Sequence, residues 1–374
     1  MANGMASLMV GSSGLRSAQT ALNTTAHNLS NVNTQGYTRQ QVTFTDTTYA
    51  NVFSSSIVPG KYGLGVDIGA ISRVRNDFID RSYRTEYSRL GFYESQANAV
   101  YEVEDWFGEM QGVTYQQHIT DLYNSINELT KNPTSTIARS SLIQNATAFI
   151  DRSQAIYSGL KDYQITLNTE VSSMVDKINE LGQKIYSLNK SISKVEAGGV
   201  ERANDLRDTR DLALDELSQY LDIDYYETTD GQIIISAENI PFVSKSEVNT
   251  MDVRQEGQYG LLIPEWPAYE KDVFSFEKAA SNANNNDKGK LKGLLVARGT
   301  IDVNYQDVPV MPDKSDYDLT TAEGMAQYNS AMDDYQKQQD YYNKYIEPSA
   351  ILSAIAGFDK LVNGIVTALN DVLC

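Results

Sequence analysis

The 374-residue chain has one cysteine, Cys374, and two histidines, His27 and His118. A single cysteine excludes an intramolecular disulfide and any cage of cysteine ligands. This fits a cytoplasmic protein, or one exported by a route that bypasses oxidative folding. The two histidines lie too far apart in the chain to suggest a metal or acid–base pair by spacing. Basic character is also scarce, with 31 Lys+Arg against 49 Asp+Glu and a net charge of −18. Nucleic acids and anionic membranes select basic faces, so both are disfavoured as partners. No unbroken apolar run of transmembrane length occurs, and no membrane span is predicted. The N-terminus lacks the basic region and continuous apolar stretch of a cleaved secretory signal, and two arginines in 45 residues are too few for an organellar transit peptide. P-loop, nucleophile-elbow, zinc and EF-hand spacings are missing. The lone G-x-G at Gly63-Leu64-Gly65 opens no helix and reads as a turn.

What the chain does have is helical periodicity. Leucine recurs at Leu8, Leu15, Leu22 and Leu29, interleaved with Gly11, Ala18, Thr25 and Val32. This a/d heptad seam has almost uncharged surroundings: no acid precedes Asp46, and Arg16 and Arg39 are the only bases. An amphipathic helix gains most of its stability by burying its apolar face, so the seam requires a partner helix. Residues 7–32 are expected to be helical, with Gly36 supplying the turn that ends the segment. Short strands are expected at Thr38–Thr45 and Gly65–Ile71, separated by Pro59-Gly60 and Gly63.

From Val74 the helical period returns, through Phe78, Tyr83, Tyr87, Leu90, Ala97, Val100, Val103, Phe107 and Met110. A third helix carries Ile119, Leu122, Ile126 and Leu129 and closes at Asn132-Pro133. The longest stripe runs from Leu142 through Phe149, Ile156, Leu160, Leu167, Val171, Met174, Ile178, Leu181, Ile185 and Ile192 to Val195. If unbroken, this helix is roughly 80 Å long, a rod that compact enzymes rarely contain. Leu206, Ala213, Leu217 and Leu221 mark a further helix. Thr229-Asp230-Gly231 is a hairpin signature. Residues 223–310 lean towards β, and the polar run Ser281–Lys288 is expected to be a mobile loop. Helices then return with Met325–Ile346 and Ile351–Val372. Asp205, Asp208, Asp211 and Asp215 share helical spacing with Arg202, Arg207 and Arg210, which reads as a solvated ion-pair ladder and not a metal face.

The stretch His27-Asn28-Leu29-Ser30-Asn31-Val32-Asn33-Thr34-Gln35-Gly36-Tyr37 resembles the N-terminal signature of bacterial flagellar rod, hook and hook-associated proteins. Gly65-Val66-Asp67 with Ile71 to Phe78, Asp121 to Leu129 with Asn132-Pro133, and Asp205-Leu206-Arg207-Asp208-Thr209-Arg210-Asp211 with Glu216-Leu217-Ser218 are similar to later segments of one branch, the hook-associated protein 1 family. So is Lys290-Leu291-Lys292-Gly293-Leu294-Leu295. The resemblance implies a structural protein of the hook–filament junction rather than an enzyme, with no cofactor or metal. It implies as partners other copies of the chain, hook protein, the second junction protein or flagellin on the filament side, and the flagellar export apparatus. It also implies an extracellular location reached without a cleaved signal.

The expected fold is mainly α with a smaller β part: a coiled-coil-like helical column, a β-hairpin region at 41–72 and a β-rich outer domain. The expected domains are 1–40 for the heptad helix and export signal, 41–222 with 322–374 for the column, and 223–321 for the outer part. Leu8, Gly11, Leu15, Ala18, Leu22, Thr25, Leu29 and Val32 are the expected assembly interface. His27, Asn28, Asn31, Thr34, Gly36 and Tyr37 carry the signature. Family members end in a second heptad helix that pairs with the first, whereas Ile351–Val372 looks like the return helix of the intermediate domain; this polypeptide is therefore expected not to join hook to filament unaided. The competing readings are a hook or rod axial protein, which would be β-rich between Val74 and Val195, and an intracellular coiled-coil scaffold or a hydrolase with an unrecognised site.

Overall fold

A computed structural model describes residues 2–52, 60–108, 114–199, 202–257, 260–278 and 280–373. Pro59, Met110 and Cys374 lie outside the described residues. The elements are α1 (Ala2–Ser30), β1 (Gln40–Asp46), β2 (Tyr49–Val52), β3 (Gly60–Gly63), β4 (Val66–Arg73), α2 (Asp77–Phe107), α3 (Tyr115–Lys131), α4 (Thr136–Glu196) and α5 (Asn204–Tyr220). They continue with β5 (Ile223–Glu227), β6 (Ile233–Ala237), β7 (Ile240–Val243), β8 (Asp252–Glu256), β9 (Leu261–Trp266), β10 (Lys271–Asp272), α6 (Lys290–Arg298), α7 (Ala322–Tyr345) and α8 (Ala350–Leu373). Helix accounts for 63% of the described residues and the strands form only small sheets, so the fold is mainly α.

The chain divides into two compact units, one of residues 1–86, 179–218 and 223–250, the other of 87–178, 219–222 and 251–374. In the first, β1 and β4 pair antiparallel from Gln40↔Arg73 to Asp46↔Val66, with a bulge after Thr43, and α1 lies against both strands. The β5–β6–β7 meander turns at Gly231, whose φ of 77° suits glycine. The Asn189 carboxamide of α4 fixes this sheet, donating to the Ile233 carbonyl at 2.7 Å and accepting its N–H at 3.0 Å. Gly182 on the same helix admits the Phe242 ring, since a Cβ there would come within 2.4 Å of it. Ile185, Ile192, Ala213, Leu214, Leu217, Ile235 and Phe242 form the core.

In the second unit Phe149, Ile156, Leu160, Leu167, Val171, Met174 and Ile178 of α4 are buried. Tyr115 packs its ring on Phe149 and Phe358 and shares a hydrogen bond of 2.9 Å with Ser153. Helix α8 buries Ile351, Leu352, Ile355 and Phe358. Its span Ala350–Asp371 is long and apolar enough to cross a bilayer, against the expectation that no such helix occurs. Midway, Asp359 accepts the Tyr305 N–H and Lys360 donates to the Val308 and Pro309 carbonyls, and beyond them residues 361–371 are half-buried or exposed. The β8–β9–β10 meander is pinned by Arg298, which is fully buried and donates to Asn168 and the Leu262 carbonyl. Burial pulls the Arg298 pKa down to about 10.

Three expectations are corrected. On α2 the buried line is Arg84, Ser88, Phe92, Ser95 and Ala99, whereas Phe78, Tyr83, Leu90 and Val100 are exposed. Both lines have helical spacing; the small residues win because they let backbones approach closely, and a Cβ at Gly91 would meet the Gln219 carbonyl oxygen at 2.5 Å. The α4 stripe stays buried to Ile192, but Val195 is exposed. The polar run Ser281–Lys288 is anchored. Asp287 is buried, accepts from Tyr93 Oη at 2.9 Å and faces Arg89, and Lys288 pairs with Asp222 at 3.1 Å. Its charges find partners distant in sequence, which composition does not reveal.

Candidate assembly surface and its joint

Helix α1 is built inside out. Leu8, Leu15, Leu22, Leu29 and Val32 are 65–74% exposed. Gly11, Ala18 and Thr25 are exposed on the same side, and a Cβ at Gly11 would meet nothing within 4 Å. The face turned inward is polar. Ser17 and Thr24 are its buried residues, and Ser17 Oγ donates to the Val66 carbonyl at 3.3 Å while Ser13 Oγ accepts the Val66 N–H at 3.3 Å. These hydroxyls occupy the outer edge of β4. Further along, the Asp67 carboxylate accepts the Ile68 N–H at 2.8 Å and Asn204 Nδ2 donates to the Ile71 carbonyl at 3.0 Å. An edge strand occupied in this way offers little to another strand.

The signature residues form the turn from α1 into β1. Asn28 presents its carboxamide to the backbone of Gln40, accepting the N–H at 2.9 Å and donating to the carbonyl at 2.8 Å. Tyr37 Oη donates to the same Asn28 oxygen at 2.8 Å. Asn31 Nδ2 donates to the His27 carbonyl at 3.0 Å, and Asn31 Oδ1 accepts from Thr34 Oγ1 at 3.1 Å. Gly36 has φ 78° and lies against Leu212 of α5, where a Cβ would sit 3.2 Å from the leucine. The His27 ring meets Tyr37 edge-on at 5.5 Å and faces Asp205 at 3.8 Å. Burial, reinforced by Asp205 and Asp208, raises the Tyr37 pKa.

The same turn is held by α5. Asp208 Oδ2 accepts the Thr38 N–H at 3.0 Å, while Asp208 Oδ1 and Asp211 Oδ2 each accept from Arg73 at 2.7 Å. Arg75 reaches Asp80 at 2.6 Å and Asp211 at 3.2 Å, and Arg84 reaches Asp215 at 2.7 Å. Arg207 binds both oxygens of Glu196 at 2.7 Å and also Glu227. Hydrogen bonds from Arg207 hold the Glu196 pKa at about 2, against the pull of burial. Arg210 is almost fully buried, donates to the Gly231 carbonyl at 2.6 Å, and burial lowers its pKa to about 10. Of the expected solvated ladder, Arg207, Asp208, Arg210 and Asp211 form a buried lattice, while Arg202 and Asp205 are exposed. Its partners come from β4, α2, α4 and β5, not from one helix turn further along α5. Buried ion pairs add little net stability, but each is costly to break singly, so they favour one arrangement of these elements.

A cleft of about 940 Å³ opens beside the joint, lined by His27, Gln40, Ile68, Glu196, Arg202 and Asp205 among others. No cluster of three metal-ligating side chains occurs among the described residues. Sequence reasoning placed the seam and signature on one segment but missed Ser13, Ser17, Arg73 and Leu212 as their supports. The signal for the serines was present: Ser13, Ser17, Thr20, Thr24 and Asn28 recur at helical spacing on the face opposite the leucines.

The family described as flagellar hook-associated protein FlgK helical domain matches residues 100–313, more than half of the chain. The chain belongs to the FlgK hook-associated protein family. A second family, flagella basal body rod protein, matches residues 8–38, which comprise the leucine seam and the signature turn. Flagellar hook-associated protein 1 of Bacillus subtilis is 29% identical over 84% of this chain and 64% of its own length. The Escherichia coli protein of that name is 27% identical over 61% of this chain and 41% of its own length. The chain thus spans less than two thirds of these FlgK relatives. The solved hook junction protein FlgK of Burkholderia pseudomallei aligns with a TM-score of 0.46 and 18% identity, over 58% of this chain and 38% of that one.

Proposed function

We propose that this chain is a structural component of the bacterial flagellum that works at the junction of hook and filament by helix packing, without catalysis. The observation that carries the reading is the outward seam of α1, with four leucines and Val32 left to solvent, whereas the comparable stripe of α4 is buried. Full burial of a leucine contributes roughly 1.5–3 kcal/mol, so covering the seam is a strong drive to associate. Gly11, Ala18 and Thr25 beside the leucines allow close helix approach. The proposed partners are other copies of the chain, hook protein on one side and the second junction protein or flagellin on the other, with the flagellar export apparatus before assembly. Export without a cleaved signal to the cell exterior, through the acid-free first 45 residues, belongs to the same reading. In domain terms, 1–40 is the assembly segment, 41–222 with 322–374 the helical body and 223–321 the outer part.

The test is to place Leu15→Asp with Leu22→Asp in the cell's own copy of the gene and to count filaments while assaying the medium for the protein. The expected result is secreted protein, hooks without filaments, and an unchanged melting temperature of the purified chain. Normal filaments would overturn the reading. Loss of secretion would assign the seam to export instead of packing.

A further inference from the structure

We infer that Asp208 is the positioning residue that sets the direction of the N-terminal helix: its one carboxylate holds both roots of the α1–β1–β4 module. Oδ2 takes the Thr38 N–H two residues before β1 begins, and Oδ1 takes Arg73, the last residue of β4. Above those roots the module is tied to itself. Asn28 is paired with the Gln40 backbone, and Ser13 and Ser17 with Val66. A body bonded internally and attached at its base pivots about that base when the attachment is lost. The polar ties from the turn itself to α5, Gln40 and His27 to Asp205, are exposed and correspondingly weak, and within β4 Asn204 of α5 adds a single neutral hydrogen bond to the Ile71 carbonyl. Asp208 is itself buried, so its two hydrogen bonds face little competition from water. Gly36 against Leu212 supplies contact without direction, because apolar packing tolerates rotation better than a charge-assisted hydrogen bond.

Asp211 provides an internal control. It is equally buried and accepts from the same Arg73 atom, but its other partners are Arg75 and Arg84, which follow the module in the chain. Asp208→Asn leaves one donor unsatisfied whichever way the amide turns, since a carboxamide offers a single acceptor oxygen. Asp211→Asn disturbs the same lattice without touching Thr38. The geometry assigns direction to Asp208 whether or not the seam is the assembly surface.

The experiment is a spin-label distance measurement between Asn23→Cys on α1 and Thr209→Cys on α5, both exposed positions, in the full chain with Cys374→Ser. The expected result is a narrow distribution in the parent chain and in Asp211→Asn. In Asp208→Asn the distribution should be roughly twofold broader, as for a released hinge. Thermal melting should fall similarly in both variants, which separates positioning from mere support. Should Asp208→Asn not fold, Thr38→Pro deletes the N–H while leaving the Asp208–Arg73 pair, and broadening is expected there too. An unchanged width in Asp208→Asn or, where that variant does not fold, in Thr38→Pro would overturn the assignment, as would equal broadening in Asp211→Asn.

Discussion

Helices α1 and α4 carry the same kind of heptad stripe and use it in opposite ways. Along α4, Phe149, Ile156, Leu160, Val171, Ile178, Leu181, Ile185 and Ile192 are at most 1% exposed. Along α1 the leucines are 65–74% exposed, and serine and threonine face the protein instead. A heptad states that a face is to be buried; it does not state whose atoms bury it. The flanks decide. The stripe of α4 runs beside charged neighbours such as Asp176, Glu180, Lys184 and Lys190, which keep the far side wet. The seam of α1 has almost uncharged neighbours, Arg16 being the one arginine on the helix, and its second face can satisfy a strand edge through hydroxyls.

The largest effect that would sharpen this contrast is on α4. Ile178→Ala or Leu181→Ala should cost about 2–5 kcal/mol by leaving a cavity, read from chemical denaturation; a cost below about 0.5 kcal/mol at both would mean that the face is not core. Acid should act next. Glu196 titrates near 2 in the folded chain against 4.5 unfolded. Its contribution, about 2–3 kcal/mol, is present above pH 4.5 and fades as pH falls towards 2. Glu196→Gln should therefore flatten the stability profile in that window, and an unchanged acid limb would disprove the clamp by Arg207. A smaller loss, about 1 kcal/mol, is expected for Ser17→Ala, because the Val66 carbonyl loses its donor. Least of all should Leu15→Ala matter in the dilute monomer, within about 0.5 kcal/mol. In the same monomer the amides of residues 5–12, ahead of the Ser13 and Ser17 contacts with Val66, should exchange quickly. Strong protection there would show that α1 is already buried without neighbours.

Much of the fold was legible because long helices announce themselves through periodicity. The turn at Gly36, the closure of α3 at Asn132 and the hairpin at Gly231 followed from local chemistry, and the mainly helical class from the sum. The core line of α2 was misread because Ser88, Ser95 and Ala99 are buried for their size, which hydrophobicity does not register. The acidic face of α5 looked solvated because its partners Arg73, Arg75 and Arg84 are more than 120 residues away in sequence. Pairwise spacing along one helix carries no information about such meetings. For the joint, the resemblance at His27–Tyr37 and at Asp205–Asp211 marked both halves, but only the structure brings Thr38 to Asp208.

The uniformity of the leucine seam has one more consequence. Its four repeats are nearly identical, and the positions flanking them, Ser12, Gly14, Gln19, Ala21, Ala26 and Asn28, bear no charge. In paired helices, register is normally specified by charges at such flanking positions or by a buried polar residue. Here two copies displaced by one heptad, about 10 Å along the axis, would again seat leucine on leucine and lose a single layer. Thr25 is the one polar residue among the four a/d layers and is too small to forbid the slip. Axial alignment between neighbours therefore has to be imposed from outside the seam, by whatever the more individual surfaces of the two bodies allow.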